Sequence, residues 1–373
     1  MKNMSKLKII FSSYDDLKNP YYAGGGALAI HEVAKRLAAK FEVAVITGKY
    51  PNSKDERIDG VTYRRIGTSF LGAKLDQLTF QVCLPILVLT EKYDVWFESF
   101  TPPFSTNFLQ VFTKKPVIGI VNMLSGEDMK RKYKLPFEVI EKAGLKTYRY
   151  LITASAATQK IIEQINSKAE IITIPLGADK IRKPQNPSNK RHILFIGRIE
   201  INQKGLDLLL NAYSKIIDDV GYPLYIAGIG EKKEVSKLKK TIDSLNLSHK
   251  VKLLGRISGE EKVKAYKDSL FVVIPSRFET FSLVALEAMA HRRALISFDI
   301  KGLSWVPETC RMTASPFNIK SLSQAIFKLS NNLPLSKQLG THGQHYAQKY
   351  SWENSAKQYK EFIFTVLSKR QYG

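Results

Sequence analysis

Residues 275–290 read PSRFETFSLVALEAMA, with two glutamates, Glu279 and Glu287, on either side of Thr-Phe-Ser and an apolar run. The preceding LFVVIPS has the continuous β-branched and apolar character of a buried strand. The following TFSLVALEAMAHRR has helical character, so the stretch reads as strand, turn, helix. The helix is expected to begin near Thr280–Phe281. Its first free amides, on Phe281, Ser282 and Leu283, then face whatever lies beyond the strand's carboxyl end, and the helix dipole favours an anion there. Glu279 sits just outside the helix and Glu287 roughly two turns in. A ligand with a phosphate at the helix start and hydroxyl groups on both sides satisfies both carboxylates. One solvated residue and one ordinary helix charge is the plainer alternative.

Outward from this stretch the same alternation recurs. HILFIGR precedes GLDLLLNAYSKI, PLYIAGIG precedes a lysine-rich helix, and VKLLGR precedes a helix near Glu260–Asp268. The first half repeats the theme, from KIIFSS through EVAVITG, YDVWFES, PVIGIVN and YLITASA to IITIPL. Apolar runs of this length between helices are parallel strands of βαβ units, so the chain is α/β with two Rossmann-like doubly wound domains facing a central cleft, and C-terminal helices. GADKIRKPQNPSNKRH lacks periodicity and is rich in Pro, Asn, Lys and Arg, which marks the linker. The expected division is 1–180, a linker at 181–191, and 192–373 with the closing helices.

Three further features fall at strand ends. AGGGALAIHE places Gly25 and Gly26 at a helix start after the first strand, where backbone can approach a ligand closely. IGRIEINQKG places Arg198 at the end of one strand and Lys204 before the next helix, a cation pair suited to a diphosphate. ISGEE follows VKLLGR, where backbone groups often grip a nucleobase. Asp15–Asp16 and Asp218–Asp219 sit at loops or helix ends, and His31 reads as structural.

The formal net charge is +23, which points to a polyanionic partner: nucleic acid, anionic lipid or phosphorylated substrate. The basic residues are spread along the chain and no zinc-finger, RRM-like or helix-turn-helix pattern appears, so nucleic acid is the weaker reading. DMKRKYKLPFEVIEKAGLKTYRYLI suits a helix on an anionic membrane surface or an ordinary amphipathic surface helix. VCLPILVL (Val82–Leu89) is too short for a membrane span and contains Pro85. Cys83 and Cys310 lie far apart, as in a reducing cytoplasm. The N-terminus reads as a first strand and not a signal peptide.

The second half resembles the retaining glycosyltransferases of family 4, which have the GT-B fold. The resemblance runs through IGRIEINQKGLDLLLNAY, LYIAGIG, KLLGR, ETFSLVALEAMA and YSWENSAKQYKEF, covering nearly all of Ile193–Leu367, and includes the triple glycine and IPLGAD of the first half. It implies a metal-independent hexosyltransferase using a UDP- or GDP-linked sugar as donor substrate, with no other cofactor. Arg198 and Lys204 would hold the diphosphate, Glu279 the donor sugar and Glu287 the ribose. The amides of Phe281, Ser282 and Leu283 would hold sugar and phosphate, and Gly25 and Gly26 would approach from the first domain. The implied acceptor is a saccharide or lipid-linked hydroxyl in surface polysaccharide or glycolipid assembly, at the cytoplasmic face of an anionic membrane and without nucleic acid. Two departures stand out. Arg292 and Ala294 occupy positions where the family has glycine and proline, and Asn122 ends VIGIVN where it commonly has histidine. A nucleotide-sugar epimerase on the same fold and a nucleic-acid-binding protein are the rival readings.

Overall fold

A computed structural model describes residues 6–19, 24–102, 104–179 and 191–371. The chain divides into two compact units, 1–176 with 352–373, and 177–351.

Among the described residues the first unit holds eight strands: β1 Lys8–Ser12, β2 Glu42–Gly48, β3 Glu56–Ile58, β4 Val61–Ile66, β5 Val95–Ser99, β6 Val117–Val121, β7 Tyr150–Thr153 and β8 Glu170–Thr173. Their order is β3-β4-β2-β1-β5-β6-β7-β8, parallel except for β3 against β4. Ile9, Phe11, Val43, Val45 and Phe97 pack on one face, Ile10, Ile46, Trp96 and Val117 on the other. This period-2 split is why the strands read as continuous apolar runs: both faces are covered.

The second unit holds β9 His192–Ile196, β10 Leu224–Ala227, β11 Val251–Gly255, β12 Ser269–Ile274, β13 Ala294–Phe298 and β14 Arg311–Ala314, in the order β11-β10-β9-β12-β13-β14. All adjacent pairs are parallel. In each sheet the order reverses direction beside the first strand, between β1 and β5 and between β9 and β12. That reversal opens a crevice outside the carboxyl ends of those strands.

Three expectations need correction. The closing helix Trp352–Gln371 belongs to the first unit, not the second. Its Tyr359, Phe362, Ile363 and Val366 enter the first core, with Tyr359 beside Phe97 at 5.5 Å. Amphipathic periodicity shows that a helix has a buried face but not which sheet it covers. DMKRKYKLPFEVIEKAGLKTYRYLI is not one surface helix. It forms helices Gly126–Tyr133 and Phe137–Thr147 and then β7, with Phe137, Glu141 and Leu145 buried. The units divide between Leu176 and Gly177, and 180–190, most of the expected linker, lie outside the described residues.

Candidate active site

At the crevice of the second unit the turn Pro275–Ser282 links β12 to the helix Leu283–Ala290. The helix starts two to three residues later than the sequence suggests, because Ser282 caps it by accepting the Ala285 amide at 3.3 Å. Phe281 therefore lies before the helix, stacked on Trp305 with ring centroids 4.3 Å apart. Leu283 is the first helical residue, and Glu287 lies one turn in, about 6 Å along the axis.

Glu279 is anchored twice through one oxygen. Lys204 Nζ lies 2.7 Å from its Oε1 and Ser276 Oγ donates to the same atom at 2.7 Å. The turn that carries it is clamped to the neighbouring helices. Arg277 forms a two-pronged pair with Asp207 at 2.8 and 2.7 Å, and donates to the Asn202 carbonyl at 2.7 Å. The hydrogen bond to Asp207 holds the guanidinium pKa above its ordinary value. Two backbones meet the same turn at close quarters. Gly205 has φ +65°, and a Cβ there would stand 1.8 Å from the Pro275 carbonyl oxygen. A Cβ on Gly302 would stand 1.7 Å from the carbonyl oxygen of Glu279.

Glu287 is held from the other side. The buried Tyr266 hydroxyl donates to Oε2 at 2.8 Å and Lys262 Nζ reaches Oε1 at 2.5 Å. Burial, reinforced by the carboxylate, pushes the Tyr266 hydroxyl well above its usual pKa, so it stays a donor. Arg198 is exposed and donates to Gln203 Oε1 at 2.9 Å. The second unit thus brings Arg198, Lys204, Glu279, Ser282, Leu283 and Glu287 to one sheet edge. Behind the Lys204–Glu279 pair a small recess is lined by Phe195, Val273, Ser276, Ser282 and Val284. In the turn itself the hydroxyl of Thr280 is buried without a hydrogen-bond partner.

At the crevice of the first unit, Gly24 caps the helix Gly25–Leu37. A Cβ on Gly26 would lie 3.8 Å from Asp15 Oδ2 and 3.9 Å from Asn122 Nδ2. Asn122 follows β6 and donates to Ser99 Oγ at 3.3 Å. Gly25, Gly26 and Asn122 are therefore neighbours, and Asp15 joins them. The loops around this group rest on two buried carboxylates. Glu98 accepts from the Asn107 amide, Thr106 Oγ1 and the Tyr148 hydroxyl, and burial pushes its pKa up. Glu141 accepts from Ser105 Oγ at 2.5 Å and from the Ser125 and Gly126 amides at 2.7 and 3.1 Å.

Sequence reasoning passed over Asp15, Lys262, Tyr266 and Asp207. The last three lie 21 to 70 positions from their partners, with no local spacing to mark them. His31 is buried between Tyr63 and Asp59, as a structural residue. Arg292 takes φ +59° and so reproduces the left-handed turn a glycine adopts freely. Its Nε donates to Thr341 Oγ1 at 3.0 Å. Among the described residues no cluster of three His, Cys, Asp or Glu is placed to hold a metal ion.

The family models agree with this architecture. The model described as glycosyl transferases group 1 matches residues 178–346, and that of glycosyltransferase family 4 matches residues 23–182. The chain belongs to the family 4, group 1 glycosyltransferases, and its two Rossmann-like units are those of the GT-B fold. An uncharacterized glycosyltransferase of Methanocaldococcus jannaschii is 35% identical over 43% of this chain and 44% of its own length. A D-inositol 3-phosphate glycosyltransferase of Corynebacterium urealyticum is 29% identical over 50% of this chain and 46% of its own length. The chain thus matches about half the length of these relatives. Sucrose-phosphate synthase of Thermosynechococcus elongatus superposes with a TM-score of 0.84 at 20% identity, covering 98% of this chain and all of that one. Anabaena HepE, solved with UDP and glucose, gives 0.75 at 16% identity over 96% and 99%.

Proposed function

We propose that the protein is a retaining, metal-independent glycosyltransferase whose donor is a UDP- or GDP-linked sugar. The observation that carries this reading is the pair of anchored glutamates, Glu279 and Glu287, flanking the first turn of the helix Leu283–Ala290 with Lys204 beside them. A diphosphate at that turn meets free amides, the helix dipole, Lys204 and Arg198. Glu279 takes hydroxyls of the sugar and Glu287 those of the ribose, with Tyr266 orienting its carboxylate. The bond from the sugar's anomeric carbon to the diphosphate oxygen breaks, and a bond from the same face to the acceptor oxygen forms. The acceptor proton passes to the leaving phosphate oxygen. Lys204, Arg198 and the helix amides stabilise the charge that develops there, the task a metal performs elsewhere. In the first unit Gly25, Gly26 and Asn122 contact the donor sugar, Asn122 through a neutral amide.

The acceptor is a saccharide or lipid-linked hydroxyl of surface polysaccharide or glycolipid assembly, at the cytoplasmic face of a membrane. A groove of about 440 Å³ lined by Glu127, Lys130, Arg131, Lys134, Leu135 and Pro136, with three cations against one carboxylate, supports an anionic, partly apolar acceptor. A thermal-shift panel of nucleotide sugars tests the donor assignment. One UDP- or GDP-sugar should raise the melting temperature without added divalent metal, and no response across the panel would overturn the reading.

A further inference from the structure

The helix Ala73–Thr90 is apolar on two opposite faces. Phe80, Leu84 and Val88 are buried against the first sheet. On the far side Leu75, Leu78, Val82, Ile86 and Leu89 are 44–62% exposed. Steps of three, four, four and three residues at 100° each confine these five to a stripe roughly 80° wide. From Leu75 to Leu89 the stripe runs about 21 Å along the helix. Phe70 extends it at one end, 80% exposed, and Val111 of the short helix Leu109–Phe112, which packs on this one, widens it. A surface helix ordinarily turns polar residues outward. A continuous apolar strip of this length on a folded domain marks a surface that something covers.

We infer that this stripe is a docking face for an anionic lipid bilayer. The charge decides between occupants. Lys92 and Lys114 are exposed, one two residues past this helix and the other two residues past the short one. A second copy would bring two chains of formal charge +23 together, so like charge opposes that pairing. An anionic bilayer accepts the apolar stripe into its headgroup boundary and neutralises the lysines at the same time. Among the described residues no helix is long and apolar enough to cross a membrane, and docking along one helix face needs none. The inference rests on the proposed membrane-borne acceptor, and it gives that acceptor a physical route to the first unit.

The experiment is flotation of the full chain with vesicles of phosphatidylcholine, alone or mixed with phosphatidylglycerol. The unaltered protein should float with the mixed vesicles and not with phosphatidylcholine alone, and added salt should weaken the binding. The Val82→Gln, Ile86→Gln protein should bind at least about tenfold more weakly, since two aliphatic side chains no longer enter the bilayer. Its melting temperature should be unchanged, because both side chains are exposed. Equal vesicle binding by the two proteins, or no binding by either, overturns the inference. So does a dimer in sedimentation that the double substitution abolishes, which would assign the face to a second copy. Sugar transfer to a soluble acceptor without vesicle binding would sink the docking face alone. Vesicle binding with no response to any nucleotide sugar would sink the proposed activity and leave the face.

Discussion

In the first unit the loops after β5 and β6 are held by Glu98 and Glu141, which are 0% and 6% exposed and accept mainly from backbone amides and hydroxyls. In the second unit the carboxylates at the sheet edge, Glu279 and Glu287, keep part of their surface toward solvent and take Lys204 and Lys262 as partners. The difference separates framework from site. A buried carboxylate that satisfies amides cannot be given up without stranding those amides. A carboxylate paired with a lysine on a flexible stem can exchange that partner for a ligand hydroxyl while the lysine turns to a phosphate.

The sharpest way to break this comparison is Glu98→Ala. It strands the donors of Thr106, Asn107 and Tyr148 in the interior, so the first unit should lose about 3–5 kcal/mol. Chemical denaturation measures this, and a loss below about 1 kcal/mol would remove the framework role. Next in size is Lys204→Ala. Donor kcat/KM should fall roughly ten- to a hundredfold, the scale of one lost charge-assisted contact, with the denaturation midpoint little changed. Full activity would end the idea of an exchangeable partner.

The third test concerns His192, which is buried in the second unit away from its glutamates and stacked on Tyr225 at 4.3 Å. Desolvation pushes its pKa down to about 4. The fold therefore favours the neutral ring, and stability is complete above the ordinary value near 6.5. As pH falls from there toward 4 the unfolded chain takes up the proton first, and roughly 2 kcal/mol should be lost by pH 5. His192→Phe keeps the stack and should flatten this slope in urea titrations at several pH values. An unchanged slope would place the titration elsewhere. The smallest effect is expected for Asn122→His. With donor and acceptor supplied, kcat should rise a few-fold, ~1 kcal/mol or less, with little change in donor KM. A large loss would show that the amide itself is what the reaction uses.

Much of the second site was legible because its parts are local. Strand, turn and capped helix put Glu279, Ser282 and Glu287 within a dozen residues, and spacing alone orders them. Lys204 belongs to the same pattern three βα units earlier, after the strand β9 that lies beside β12 in the sheet. The supports were not legible. Arg277 finds Asp207 seventy positions away, and Tyr266 reaches Glu287 from the preceding βα unit. The first site was the less readable of the two, because its glycine-rich helix start and Asn122 carry no charge to mark them. Asp15 and Asp16 read alike as a pair at a loop or helix end, yet of the two only Asp16 is buried, against Arg65, Thr47 and the Lys18 amide. The helix start at Leu283 slipped by two or three residues because the Ser282 side chain, and not the apolar pattern, fixes the first turn.

The helix Trp352–Gln371 has a consequence in time. Growing chains usually close their N-terminal domain first. Here the first domain lacks Tyr359, Phe362, Ile363 and Val366 of its core, and the Ser355 bond to Pro175 made across 180 positions, until the whole second domain has been synthesised. The second domain is thus free to fold without the first, which waits with part of its core open to water.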